Sequence, residues 1–149
     1  MIIWEQNMEL SELIRPGMTR EDSFPITMDN SAIHIGSGSS RVLATPWMIA
    51  FMERVSHRLL TCCLPEGFSS VGTHLDVRHL AATPVGATIR VRVEVLSLDG
   101  NRVYFSIEAW DNQEKIGEGK HERVVIDEAR FLRRVERKLT ALNSQGEAI

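Results

Sequence analysis

From Val71 onward the chain reads as alternation. Val71, Thr73, Leu75, Val77 and His79 fall on one face of a period-two stretch. After a turn at Thr83, Pro84, Val85 and Gly86, the apolar residues Ile89, Val91, Val93 and Val95 alternate with Arg90, Arg92 and Glu94. Asp99-Gly100 marks a hairpin into Val103, Phe105, Ile107 and Ala109, which alternate with Tyr104, Ser106, Glu108 and Trp110, so these two strands should pair antiparallel. A turn at Asp111-Asn112 leads to a last strand from about Ile116 to Ile126, interrupted by Gly117 and Gly119. Asp127 then caps a final helix with Phe131, Leu132, Val135 and Leu139 along one side, and residues 140–149 read as a frayed tail.

The period changes upstream. TPWMIAFMERVSHRLLTCCL is predicted helical, with Thr45 as N-cap, Pro46 at the first helical position and a stop at Pro65, Glu66 and Gly67. Trp47, Met48, Ile49, Ala50, Phe51 and Met52 surround its first two turns with apolar side chains, the pattern of a helix enclosed by the rest of the fold. Before it, Arg15-Pro16-Gly17 reads as a turn, and Phe24, Ile26 and Met28 alternate with Pro25 and Thr27 as a short edge strand. DNSAIHIGSGSSRV, small and polar, is expected to be a loop that covers something or moves. One enclosed helix followed by antiparallel strands predicts an α+β domain whose curved sheet wraps around that helix. The expected layout is an N-terminal extension of unassigned structure over 1–14, a single domain over 15–139 and a tail over 140–149.

Composition narrows the function. The chain has 149 residues, 43% hydrophobic and 25% charged, the balance of one ordinary domain. Its formal net charge of -3 lacks the basic excess that nucleic acid requires. No apolar run approaches the roughly 20 residues of a membrane span, and MIIWEQNMELSEL shows neither a basic leader nor a small-residue cleavage site, so a cytosolic, unprocessed protein is expected. Cys62 and Cys63 are adjacent, which disfavours a disulfide between them and provides no CxxC pair. His34, His57, His74, His79 and His121 show no familiar ligand spacing, so no metal is assigned.

Three residues carry candidate chemistry. Glu53 follows the most apolar stretch of the chain, so in an enclosed helix its carboxylate needs a partner or a cavity; on an exposed stripe with Ser56 and His57 it would be an ordinary surface residue. His79 ends a strand beside Val77 and Leu75, where an inward imidazole is either structural or an acid/base group. The Thr45 hydroxyl serves either the helix N-terminus or a ligand.

The segments ATPWMIAFME, VGTHLDVRHLAATPVG and GKHERVVI, in this order, resemble the fluoroacetyl-CoA thioesterase group of the hotdog superfamily. Members share a threonine eight positions before a helical glutamate and a histidine just before an AATP turn. Thr45, Glu53 and His79 match those positions. The resemblance covers most of the chain, and its AATPxG turn is the most specific part. It implies a hotdog fold, a homodimer, and an acyl-CoA substrate held along the subunit interface, with coenzyme A entering as part of the substrate and no separate cofactor.

On that reading a small acyl thioester is hydrolysed between Glu53 and His79. Either the carboxylate attacks directly or one of the two groups deprotonates water. Thr45 would orient Glu53 or the carbonyl. Gly72 would supply an oxyanion N–H or, alternatively, a bulge in the sheet. Trp47, Met48 and Phe51 would line the acyl pocket. His121-Glu122-Arg123 is read as a solvated or interface-facing strand, with Arg123 toward the CoA phosphates as the alternative. The sequence departs from the group in its lid-like segment, Gly36-Ser37-Gly38-Ser39-Ser40, where members carry aromatic residues, so fluoroacyl specificity is not carried over. A non-catalytic acyl-CoA-binding protein and an enoyl-CoA hydratase or dehydratase use the same fold and stay open at this point.

Overall fold

The structure is a computed structural model and describes residues 2–3 and 8–147. In chain order it contains β1 (Ile2–Ile3), β2 (Met8–Glu9), α1 (Leu10–Leu13), β3 (Thr19–Pro25), α2 (Ala32–Ile35), α3 (Thr45–Cys63), β4 (Phe68–His79), β5 (Thr88–Asp99), β6 (Arg102–Trp110), β7 (Lys115–Asp127) and α4 (Glu128–Glu147). β1 and β2 form a small antiparallel ribbon. Leu10 and Ile14, in the segment assigned to the N-terminal extension, lie in the core. Met1 and residues 4–7 of that extension, and 148–149 of the tail, lie outside the described residues.

Five strands form one antiparallel sheet in the order β3-β5-β6-β7-β4, with β3 and β4 as its edges. The alternation read from the sequence explains which face is covered. Ile89, Val91, Val93 and Val95 of β5 and Val103, Phe105, Ile107 and Ala109 of β6 are all buried, and Met48, Phe51, Met52, Val55, Leu59 and Leu60 of α3 join them in one core. Apart from Ala109, each such side chain contributes about 1.5–3 kcal/mol, so this layer dominates the stability of the fold. This is the hotdog arrangement that the resemblance implied. The opposite side of α3 is only partly covered: Trp47, Ile49, Ala50 and Glu53 are half-buried, and Thr45, Pro46 and Arg54 are exposed. No helix among the described residues is long and apolar enough to cross a membrane.

The structure corrects four local expectations. The edge strand lies earlier than the Phe24, Ile26, Met28 alternation indicated: β3 pairs through Pro25, and Met28 opens a 3-10 turn fastened by Thr27 and Asn30. The expected loop contains α2, which Ser31 caps and Gly36 ends at φ +78. The last helix runs on to Glu147 instead of fraying after Leu139, leaving Leu132, Val135, Leu139 and Leu142 exposed. The fourth correction matters most for function. The register of β4 on β7 slips between Gly72 and His74, leaving Thr73 as an extra residue. Ser70 and Gly72 therefore share the inner face with Leu75, Val77 and His79, while Val71 and Thr73, which strict alternation grouped with Leu75, do not.

Candidate active site

Thr45 is the first residue of α3, not its N-cap. Ala44 occupies the cap position without a side-chain hydrogen bond, and Pro46 stands second. The Thr45 hydroxyl is thereby free of the helix end, and it lies 2.7 Å from Nδ1 of His79, the last residue of β4. Burial holds the His79 imidazole below its ordinary range, with the nearby Ala81 backbone acting in the opposite sense. Its Nε2 is buried and has no hydrogen-bond partner in the described chain. A buried ring nitrogen without a partner is costly, and a ligand or a second chain would satisfy it.

Glu53 stands eight residues further along α3, about 12 Å by helical rise. Its Oε2 lies 3.3 Å from a terminal guanidinium nitrogen of Arg123 on β7. The Arg123 side chain is only 7% exposed against 39% for Glu53, so a nearly buried cation faces a carboxylate that still reaches solvent. Gly72 lies directly beneath this pair: a Cβ built there would stand 2.5 Å from Glu53 Oε2, 3.3 Å from His121 and 3.4 Å from Arg123. Only a glycine lets the carboxylate lie on the strand.

Arg123 is held from below. Its Nε–H donates to Ser70 Oγ at 2.9 Å and a terminal N–H donates to the Ser70 carbonyl at 3.1 Å. The nitrogen that faces Glu53 also lies 3.2 Å from His121 Nε2, and His121 Nδ1 lies 2.8 Å from the His74 carbonyl. A carbonyl only accepts, so His121 carries its proton on Nδ1 and offers a lone pair to the guanidinium. Ser70 Oγ also lies 3.1 Å from His57 Nδ1. Burial, reinforced by the Arg123 charge, holds both His57 and His121 below the ordinary imidazole range. Burial also lowers Arg123, against the pull of Glu53.

The contacts pair Thr45 with His79, Glu53 with Gly72, and His57 with Ser70, so α3 runs antiparallel to β4 with one polar cluster at its start and another two turns later. The structure joins two of the three expected catalytic residues and places the third in a separate cluster of the same chain. Of the residues expected to line an acyl pocket, Gly72 lies against Glu53 and Trp47 is half-buried. Met48 and Phe51 are instead core residues: Met48 is in contact with Gly117, and Phe51 stacks on Phe24 with ring centroids 4.4 Å apart.

The sequence predicts a solvated or interface-facing strand at His121 and Arg123; instead they are 2% and 5% exposed. The signal was present. Alternation places both on the face of the buried Val125, and a cation on a covered face requires an anion, which Glu53 supplies.

These features define an α+β protein of the hotdog class, with Thr45 and Glu53 on its central helix facing His79, Gly72 and Arg123 of the sheet. The profile of the fluoroacetyl-CoA-specific thioesterase family, FlK, matches residues 26–129. A fluoroacetyl-CoA thioesterase from Streptantibioticus cattleyicolor is 39% identical over 100 residues, 67% of this chain and 72% of that protein. The crystal structure of the fluoroacetyl-CoA thioesterase FlK superposes with a TM-score of 0.79 at 32% identity, covering 84% of this chain and 97% of that one. A hot-dog-like protein from Thermanaerovibrio acidaminovorans gives a TM-score of 0.81 at 27% identity, over 88% of this chain and 97% of its own. The chain belongs to the fluoroacetyl-CoA-specific thioesterase family.

Proposed function

We propose that the protein is a cytoplasmic acyl-CoA thioesterase that hydrolyses a small acyl-CoA to the free acid and CoA, working as a homodimer. The observation that carries this reading, beside family membership, is the separation of the two clusters: Thr45 bonded to His79 with an unpartnered Nε2, and Glu53 over Gly72 about 12 Å further along the helix. A second copy completes the site. β4 is a twelve-residue edge strand whose outer side has no neighbour in the sheet among the described residues. Antiparallel pairing of β4 with the partner's β4, centred near Leu75, sets His79 beside the partner subunit's Gly72 and hence beside the partner subunit's Glu53. Two equivalent sites result.

The chemistry follows from the contact at Gly72. Glu53 Oε2 rests on that glycine, so an acyl carbonyl placed at the glycine backbone lies beside the carboxylate, within reach of direct attack. Glu53 therefore attacks the carbonyl carbon, the C–S bond breaks, and CoA leaves as thiolate with the acyl group held as an anhydride. His79, kept neutral by burial and oriented by Thr45, takes a proton from the water that opens the anhydride and passes it to the thiolate. One water is consumed and one acid and one thiol are formed. Arg123 and Gly72 both hold Oε2, which leaves Oε1 as the oxygen that bonds to the acyl carbon. The small side chains from Gly36 to Ser40, where the family resemblance leads one to expect aromatic residues, favour an acyl group chosen by size rather than by fluorine.

Free-thiol release from a panel of short acyl-CoA thioesters, acetyl-CoA and fluoroacetyl-CoA included, tests the reading. Turnover is expected, with losses of at least a hundredfold in Glu53→Gln and His79→Ala. Intact thioesters after long incubation, or unchanged rates in both variants, would overturn it.

A further inference from the structure

We infer that Ser70 is a positioning residue for the reaction, acting through Arg123 on the Glu53 carboxylate, and that His57 is the outer end of the same device. This rests on the thioesterase reading above. Arg123 enters the inner face of the sheet as a nearly buried cation, and a guanidinium has several donors but no preferred rotation of its own about the end of a flexible stem. Ser70 removes that freedom. It is 6% exposed, sits beside β7 on the inner face of β4, and receives two of the guanidinium donors, one on its hydroxyl and one on its carbonyl. With Nε and one terminal nitrogen fixed, the remaining terminal nitrogen can only point at Glu53 Oε2 and His121 Nε2.

The proton order along this path is set by chemistry. Ser70 Oγ accepts from Arg123, which has no lone pair to give back, so the serine proton must go elsewhere. The acceptor within reach is His57 Nδ1, 3.1 Å away. His57 then keeps its proton on Nε2, toward Thr61 Oγ1 at 3.4 Å. The result is a directed line of donors from Arg123 through Ser70 to His57, all on the inner side of β4 and one turn of α3 beyond Glu53. None of these groups reaches the acyl carbon. They decide where the carboxylate stands, and displacements of about 1 Å at a reacting group cost on the order of a hundredfold in rate.

The test is steady-state hydrolysis of the best acyl-CoA of the panel, with unfolding temperatures alongside. Ser70→Ala is expected to lower kcat at least tenfold while KM stays within twofold, and Ser70→Thr, which keeps the hydroxyl, to remain within threefold of wild type. Combined with Arg123→Lys, Ser70→Ala is expected to cause no further loss, because the geometry it protects is already gone. Ser70→Cys, with a weak acceptor of similar size, carries the same expectation as Ser70→Ala should the alanine variant fail to fold. A wild-type kcat in Ser70→Ala or Ser70→Cys, or a loss that adds fully to that of Arg123→Lys, would overturn the assignment. Absence of turnover in the wild-type protein would instead strike the thioesterase reading itself.

Discussion

The Thr45 hydroxyl lies 2.7 Å from His79 Nδ1, joining the first residue of the central helix to the last residue of an edge strand. A threonine before a proline at a helix start is ordinarily a cap, and losing a cap costs about 1 kcal/mol. Here the hydroxyl makes no cap bond. Thr45→Val should therefore leave the unfolding temperature within a degree or two while lowering kcat at least tenfold, and Thr45→Ser should retain most activity. A drop of several degrees with unchanged kcat would return Thr45 to a capping role.

The separation of Thr45 from Glu53 along one helix makes a sharper expectation for mixed dimers. Glu53→Gln and His79→Ala are each expected to be inactive as homodimers. Unfolded together and refolded at equal amounts, half of the dimers are mixed, and each mixed dimer holds one site with both residues intact. About a quarter of the wild-type rate should return, by binomial mixing of two-fold dimers. A catalytic unit contained in one subunit would give no recovery.

Under the proposed function, Gly72 and Gly119 place different demands on the same pair of strands, one on the Glu53 carboxylate and one on the strand pairing. A methyl group at Gly72 meets the end of the flexible Glu53 side chain at 2.5 Å, so Gly72→Ala should fold with little change in unfolding temperature but lose at least tenfold in kcat as the carboxylate is displaced. A methyl group at Gly119 meets the Asp76 carbonyl oxygen at 2.1 Å and Val77 Cα at 2.9 Å. Neither can move without parting β4 from β7, so Gly119→Ala should lose roughly 2 kcal/mol or more, or fail to fold. Circular dichroism melts of the two variants provide the comparison. Equal melting temperatures for Gly72→Ala and Gly119→Ala would contradict this division.

The strands were legible because their covered face is continuous: Ile89 to Val95 and Val103 to Ala109 alternate without interruption and are all buried. The faces of β4 were not, because one inserted residue at Thr73 reverses every side chain before it, and no local pattern announces where an extra residue will be tolerated. That slip is what turns Ser70 and Gly72 inward toward Arg123. Thr45, Glu53 and His79 were found through a resemblance of spacing, whereas the burial of His121 and Arg123 follows from pairing with the inner face of β4, a long-range relationship. The end of α4 is hidden for the opposite reason: nothing in residues 140–147 before Gly146 breaks a helix, but their polarity by itself predicts fraying.

Acid sensitivity is expected from three histidines together. His57, His79 and His121 are each held below the ordinary imidazole range, burial being the largest cause in every case. Arg123 faces both His57 and His121 and opposes their protonation, while Glu128 favours it at His57, and Glu53 and Glu122 favour it at His121. Because the folded values are depressed, the unfolded chain binds more protons than the folded one once the pH falls below the free imidazole value of about 6.5. The contribution to stability is complete above that pH and is lost as the pH drops below it. The lowered carboxyls of Asp22, Asp111, Glu118 and Glu122 act in a separate window, lost only as the pH falls through about 4 and below. Unfolding temperatures should thus be level between pH 7 and 8 and decline from about pH 6.5 toward 5, with a slope of up to three protons. His121→Gln, which can still bond both Arg123 and the His74 carbonyl, should make that decline shallower. A flat profile down to pH 5, or an unchanged slope in His121→Gln, would show that these imidazoles do not enter the folded state neutral.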